Sequence, residues 1–434
     1  MTARWRQRLA RAGYSLLLRI AVPLYWLRLR WRGRREPLYA ISIGERFGFY
    51  RDDVVPGALW LHAVSLGETR AAAPLLEALR AARPGIRFVL THGTATGRAA
   101  GQALLRDSDR QLWLPFDTPG AVRRFLRRVD PIAGVLMETE IWPNLLAEAA
   151  SRGVPVLLAN ARLSERSRRR GARVAALLGP AFASLAAALA QSDADAARLR
   201  DAGVREASVV GNLKYDVAPD PHLLARGRAW RAGVARGVVL AASTREGEEG
   251  DLLDAWRELA SPRPLLVVVP RHPQRFDAVC DLIGAAGFGV SRRSAWDADR
   301  PPGDAAGVDV WLGDSMLEMP AWYALADVAL LGGSFAPLGG QNLIEAAACG
   351  CPLVLGPHTF NFSDAAALAI AAGAATRVAD LREGVAAARS LASAAAAVER
   401  EQQSLRALAF AGAHRGAAER MADRILEFAD RRRR

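Results

Sequence analysis

Leu330-Leu331-Gly332-Gly333-Ser334-Phe335-Ala336-Pro337-Leu338-Gly339-Gly340-Gln341-Asn342-Leu343-Ile344-Glu345-Ala346-Ala347-Ala348 reads as the end of a strand, a glycine loop and a helix. The apolar run Val328 to Leu331 has the length and content of a strand buried on both faces of a parallel sheet. Four glycines surround the loop, and an Ala- and Leu-rich helical pattern follows. Glycines at such a turn let the backbone approach a ligand closely, and the free amides of a helix start favour anions. Glu345, one turn into the helix, is placed to accept hydrogen bonds from hydroxyl groups. The plainer reading of the glycine pairs is a tight strand-to-helix turn.

The same grammar extends in both directions. Downstream, Pro352 to Pro357 is a strand ending in His358-Thr359-Phe360-Asn361-Phe362. Upstream, Val238 to Thr244, Leu265 to Val269 (ending at Pro270-Arg271-His272-Pro273) and Val308 to Leu312 (ending at Gly313-Asp314-Ser315-Met316) alternate with helical stretches. The N-terminal half repeats it. Trp60 to Val64, Ile86 to Leu90, Leu112 to Pro115, Ile132 to Met137 and Val154 to Asn160 are strand-like, with helices between them. Alternation of this kind defines a doubly wound parallel sheet, twice over. Ligands gather at the carboxyl ends of such strands. Glu68, His92, Glu138, Asn160 and Arg162 all fall there in the first half.

At 434 residues the chain exceeds one ordinary core, and two domains of roughly 200 residues are expected. The formal net charge is +13, but residues 1–35 hold ten arginines and no acid, and Arg431 to Arg434 add four more. Subtracting those fourteen from +13 leaves −1 for everything between. The basicity therefore belongs to the tails, which argues against a nucleic-acid-binding body and for attraction to an anionic surface. Cys280, Cys349 and Cys351 offer neither a disulfide framework nor metal-ligand spacing, in keeping with a reducing, cytoplasmic setting. Lys214 is the only lysine. In so arginine-biased a chain, a lone lysine points to a place where a compact ammonium is needed and a planar fork would not serve; chance survival is the alternative.

Residues 4–35 interleave arginines with Trp5, Tyr14, Tyr25, Trp26 and Trp31 around an apolar segment broken by Arg19 and Pro23. The segment is short for a span and lacks a secretory cleavage site. Aromatics and arginines together suit a membrane interface. A membrane-associated anchor on the cytoplasmic face is expected; an amphipathic helix packed on its own domain is the competing reading.

Among candidate chemical groups, Glu68 follows a strand on a glycine turn and could serve as a general base, or merely as an acid at a helix start. Glu138 and Glu140 end another strand, and alternation along an extended chain would send only one of them toward a ligand. Arg271 and His272 end an apolar strand, where Arg suits phosphate or carboxylate. Asp107-Ser-Asp109, Asp193-Ala-Asp195 and Asp297-Ala-Asp299 imitate a metal–sugar-nucleotide string but sit in polar or helical surroundings and read as solvated surface. No His, Cys and acid set has convincing metal spacing, so no metal and no cofactor are expected, and there is no P-loop.

Together these stretches resemble the 3-deoxy-D-manno-octulosonic acid (Kdo) transferase family of lipopolysaccharide synthesis, from about Tyr39 to Arg377. The motifs that carry the resemblance are Ser65-Leu66-Gly67-Glu68-Thr69, Met137-Glu138-Thr139-Glu140-Ile141-Trp142-Pro143-Asn144-Leu145, Asn160 to Ser164 and Gly211 to Asp216. Ser243 to Glu249, Pro270 to Phe276, Gly313 to Met316, Gly332 to Glu345 and Gly356 to Phe362 complete it. Arg245 stands where that family often carries His. The resemblance implies an α/β GT-B glycosyltransferase, two Rossmann-like domains facing a central cleft with a basic membrane-associated N-terminal segment. Its parts would be an anchor over 1–35, an acceptor-binding domain over 36–215, a CMP-Kdo-binding domain over 216–410, and a C-terminal helix and basic tail over 411–434 that returns to the first domain. It implies inverting, metal-independent transfer of Kdo from CMP-Kdo to a hydroxyl of a lipid A precursor (lipid IVA) at the cytoplasmic side of the inner membrane. By motif, Glu68 would be the base, and Glu138 and Lys214 would stabilise the transition state. CMP would be held by Pro270, Arg271, Met316, Leu317, Glu318, Asn342, Leu343, Ile344 and Glu345. A GT-B enzyme using another nucleotide sugar, a UDP-sugar transferase or epimerase, is the alternative, and a non-catalytic membrane-bound nucleotide-binding scaffold stands further off.

Overall fold

The computed structural model describes residues 2–50, 54, 56–297, 301 and 307–433. The chain divides into two compact units, one reaching to Val217 and resuming at Arg415, the other running Ala218–His414.

In the first unit the described strands are β1 (Leu59–His62), β2 (Phe88–His92), β3 (Arg110–Trp113), β4 (Ala133–Met137), β5 (Val156–Ala161), β6 (Ala187–Ala190) and β7 (Ala207–Val209). They form one sheet in the order β3-β2-β1-β4-β5-β6-β7, every pair parallel. Helices on both faces bury the strands, which explains their unbroken apolar composition. The order reverses between β1 and β4, the switch point at which a crevice opens beyond the strand ends. Glu68 follows β1 and Glu138 follows β4, so the topology brings the two carboxylates to one place.

Helix α1 (Thr2–Arg32) is continuous through Pro23. Its Leu29 is buried with Tyr39, Ala95 and Trp113. Trp5, Leu9, Leu16, Leu17, Ile20, Leu24, Leu27 and Trp31 stand exposed. Both readings of the N-terminal segment therefore find a face: one side packs on the unit, the other offers apolar side chains and arginines to the surroundings. No helix among the described residues is long and apolar enough to cross a membrane. The helix Ala417–Arg433 also belongs to this unit, and Met421, Ile425 and Ala429 join the core formed by β1, β4 and helix α2 (Leu66–Ala82).

The second unit repeats the plan with β8 (Val238–Thr244), β9 (Leu265–Pro270), β10 (Val290–Arg292), β11 (Val310–Leu312), β12 (Val328–Leu331), β13 (Leu353–Leu355) and β14 (Ala375–Arg377). They form a parallel sheet in the order β10-β11-β9-β8-β12-β13-β14. Its switch point lies between β8 and β12, and the glycine loop that starts at Gly332 opens there. Gly332 has no room for a side chain, since a Cβ would come within 2.4 Å of the Ser243 carbonyl.

The aspartate strings differ from the expectation of solvated surface. Asp109 is 5 % exposed and accepts from the Phe88 amide at 2.8 Å and from Arg80 at 2.6 Å. Asp195 is 4 % exposed and accepts from the Leu163 amide at 3.0 Å. Each satisfies backbone amides that would otherwise be buried unpaired, which is structural work. Asp107, Asp193 and Asp297 are exposed; Asp299 lies outside the described residues.

Candidate active site

In the first unit, Ser65 caps α2 by accepting from the Glu68 amide at 3.4 Å, and Glu68 reaches back to accept from the Val64 amide at 2.7 Å and from the Ser65 hydroxyl at 3.1 Å. This is a capping box. The acid is thus tied to the helix start, as the plainer reading had it, and is also half-buried at the switch point. Burial raises its pKa above the ordinary carboxylate value, and the charge of Glu138 adds to the rise, while the Val64 and Ser65 hydrogen bonds oppose it.

Glu138 and Glu140 are close enough for their charges to interact with each other and with Glu68. The chain leaves β4 with Glu138 in the left-handed region, at φ 58°, and its amide donates to Ala159 at 2.9 Å. Alternation holds only for extended backbone, so this residue breaks it. Glu140 feels the charges of both Glu68 and Glu138; burial first, and then those neighbours, push its pKa up to about 7. A non-glycine residue held left-handed costs of order 1–3 kcal/mol and is typical of functional sites.

Lys214 enters the same cluster. The Asn212 side chain accepts from the Lys214 amide at 3.0 Å, closing a short helical turn over Leu213–Tyr215. Burial lowers the lysine pKa, Glu138 opposes that fall, and Arg162 adds to it. Three carboxylates and an ammonium thus share one partly desolvated place, an arrangement that can take a proton from a hydroxyl and offset charge as it develops.

His92 and Asn160 are buried supports rather than ligand-facing groups. His92 bonds the Ala63 carbonyl at 3.0 Å beneath the Glu68 turn, and burial lowers its pKa to about 4, so it is neutral. Asn160 is fully buried and accepts from the Leu213 amide.

In the second unit the residues expected at CMP lie at the ends of β9 and β11 and around the glycine loop. Pro270 is buried as the last residue of β9; Arg271 is exposed, its amide donating to Thr244 at 2.9 Å. Arg245, Arg271 and Arg275 all lower the pKa of neighbouring His272, after burial as the first cause. Guanidinium groups therefore gather at this end of the sheet, that of Arg275 being paired with Glu249. Met316 and Leu317 are 49 % and 62 % exposed. The Glu318 carboxylate is committed to Arg226 at 2.9 Å, Arg293 at 2.8 Å and the Ser315 hydroxyl at 2.5 Å. Leu343 and Ile344 are 0 % and 1 % exposed, so only their backbone can meet a ligand. Asn342 precedes the helix Leu343–Ala348, and its buried Oδ1 has no hydrogen-bond partner among the described residues; Glu345 is half-buried.

Glu248 and Glu249 were legible only as part of a motif. Glu248 accepts from the Arg245 amide at 2.9 Å and the Gly333 amide at 2.7 Å, pinning the glycine loop to the end of β8. Glu249 is 1 % exposed and pairs with Arg275 at 2.8 Å. Among the described residues no group of three or more His, Cys, Asp and Glu could hold a metal ion.

Two doubly wound parallel units with ligand-type groups at their switch points make this a GT-B glycosyltransferase. Solved structures that share the fold include the following two. The glycotransferase of kitacinnamycin aligns with a TM-score of 0.51 and 16 % identity, covering 86 % of this chain and 99 % of its own. The UDP-GlcNAc 2-epimerase of Neisseria meningitidis, bound to UDP-GlcNAc, aligns at 0.55 and 13 % over 86 % and 99 %. A family model described as 3-Deoxy-D-manno-octulosonic-acid transferase (kdotransferase) matches residues 42–217. The 3-deoxy-D-manno-octulosonic acid transferase of Bordetella pertussis is 47 % identical over 97 % of this chain and 100 % of its own. The chain belongs to the Kdo transferase family and is an enzyme of lipopolysaccharide biosynthesis.

Proposed function

We propose that this transferase takes Kdo from CMP-Kdo and places it on a hydroxyl of an anionic lipid A precursor, working at the cytoplasmic surface of the inner membrane. The observation that carries the assignment of roles is the convergence of Glu68, Glu138 and Glu140 with the chain's only lysine. Glu68, its pKa raised by burial and by Glu138, takes the proton of the attacking hydroxyl as the new glycosidic bond forms and the bond to CMP breaks. Glu138 and Lys214 stabilise the charge that develops in the transition state; their place in the family motifs and their mutual electrostatic contact support this. The arginines at the end of the second sheet, Arg245 near Gly333 and the exposed Arg271, together with the exposed Met316 and Leu317, suit a nucleoside monophosphate: guanidinium for phosphate, apolar surface for the base. The exposed apolar side chains and arginines of α1 support docking on an anionic bilayer.

Mass spectrometry of lipid products after incubation with CMP-Kdo and the tetra-acylated precursor tests the reading. Kdo-bearing lipid supports it; turnover with UDP-sugars and none with CMP-Kdo overturns it in favour of the other donor class. The likeness to the epimerase, at 13 % identity, shows the fold alone and does not favour that alternative.

A further inference from the structure

Helix α3 (Ala95–Gln102) and helix α4 (Pro119–Val129) precede helix α5 (Pro143–Ser151) in the first unit. The last of these begins three residues after Glu140, and its own N-cap position, Trp142, supplies no side-chain bond to the free helix amides. The cap comes from another loop. Asp117, just before α4, accepts from the Leu145 amide at 2.7 Å and the Asn144 amide at 3.1 Å, while its carbonyl accepts from Asn144 Nδ2 at 2.6 Å. Carboxylates are favoured at helix starts for this reason.

Two side chains of α1 reach the same assembly. The Tyr14 hydroxyl donates to Asp117 Oδ2 at 3.0 Å, and the Ser15 hydroxyl shares its proton between the Arg11 carbonyl at 2.8 Å and Asn144 Oδ1 at 3.2 Å. Asp117 and Asn144 are 3 % and 6 % exposed, so lost partners are not readily replaced by bulk water. The five residues Glu138 to Trp142 are thereby held at both ends, by the Glu138 amide on Ala159 and the Asp117 cap on α5, with the Thr139 hydroxyl donating to the Arg162 carbonyl between them.

We propose that Asp117 is a positioning residue: capping α5 while bonded to Tyr14, it ties the seating of the surface helix α1 to the placement of the Glu138 and Glu140 carboxylates. The proposal rests on the role given above to the Glu138 loop and goes beyond it, because it makes the docking helix part of the catalytic machinery.

The test uses the full chain in three variants: Tyr14→Phe, Tyr14→Phe with Ser15→Ala, and Asp117→Asn. Amide hydrogen exchange is followed over 138–146, alongside kcat and the KM for CMP-Kdo. Losing the α1 bonds should quicken exchange over 138–146 by about tenfold, the size of one charge-assisted hydrogen bond. The turnover number should fall several-fold at unchanged KM, and the acid limb of its pH profile should move with the carboxylates. Wild-type exchange, kcat and pH profile in the Tyr14→Phe, Ser15→Ala variant, with only melting temperature lowered, would overturn the coupling. Should Glu138→Gln prove fully active, the catalytic reading falls instead, and the exchange arm still decides whether α1 sets the loop.

Discussion

The amide of Leu213 donates to Oδ1 of Asn160 over 3.1 Å, and neither residue exposes any surface. Asn160 stands at a register shift near the end of β5 with φ 53°, a conformation that asparagine tolerates better than other side chains. The strand irregularity thus turns an amide side chain into a post for the turn that presents Lys214. Asn160→Ala would leave the Leu213 amide buried without a partner and keep an unfavourable backbone angle, a loss of about 1–3 kcal/mol. Denaturant unfolding should show that loss, and turnover should fall with it while CMP-Kdo still binds. Full turnover would mean that the lysine is placed by something else.

Glu68→Gln should lower the turnover number by about 10²–10⁴-fold, as for a lost general base, with donor affinity retained. The pH profile carries the sharper signature. A base must be ionised, and burial and Glu138 raise the pKa of Glu68, so activity should climb with pH along an acid limb above the ordinary carboxylate value of 4.5. In Glu138→Gln the like charge is gone, so the residual activity should show that limb at lower pH. An unmoved limb would assign it to another group.

Glu140 gives a stability prediction. Its pKa is about 7 in the fold against 4.5 as the reference for an unfolded chain. Between those values the folded state binds more protons than the unfolded one, so stability falls as pH rises across that window. Glu140→Gln removes the cost of ionising a buried acid. Its melting temperature should match wild type near pH 4, exceed it increasingly toward pH 7, and keep a constant margin above. A constant margin at every pH would place the effect in packing alone.

Much of the fold was legible because a parallel strand buried on both faces is an unbroken apolar run, as in Leu265 to Val269. What escaped was short or weakly patterned. Strand β6 is Ala-Ala-Leu-Ala, which lacks the branched residues that mark strands; β10 and β14 are three-residue edges, Val-Ser-Arg and Ala-Thr-Arg. Glu68 and Lys214 could be picked out from a turn and from composition. That Glu138 and Glu140 interact electrostatically could not, since the alternation rule presumes the extended backbone that φ 58° abolishes. Nor could Asp117: its partners Tyr14 and Asn144 lie 103 and 27 residues away, and only the fold brings them together.

The exposed face of α1 predicts membrane docking. Leu17, Ile20 and Leu24 are 63 %, 63 % and 66 % exposed, and each is worth up to about 1.5–3 kcal/mol when fully buried. Replacing all three by Asn should weaken binding to anionic vesicles by at least about 10²-fold and leave melting temperature and CMP-Kdo binding unchanged. Deleting the helix would be a poorer experiment, because Leu29 packs against Tyr39 and Trp113 and its loss opens the core. Undiminished vesicle binding by the triple variant would remove α1 as the docking surface.

Lys214→Arg asks why one lysine persists among so many arginines. Its ammonium is partly buried, with Glu138 favouring and burial opposing its charge. A guanidinium keeps the charge but is planar, larger and spreads it over three nitrogens. If the compact charge acts on the transition state, Lys214→Ala and Lys214→Arg should both lower the turnover number strongly at little cost in KM, since the interaction is strongest when charge has developed. If only net charge in the cluster matters, arginine should restore most of what alanine loses. Comparing the two variants under saturating CMP-Kdo separates these cases, and near wild-type turnover in both Lys214→Ala and Lys214→Arg would strike the lysine from the catalytic groups and leave Glu68 and Glu138 alone in that role.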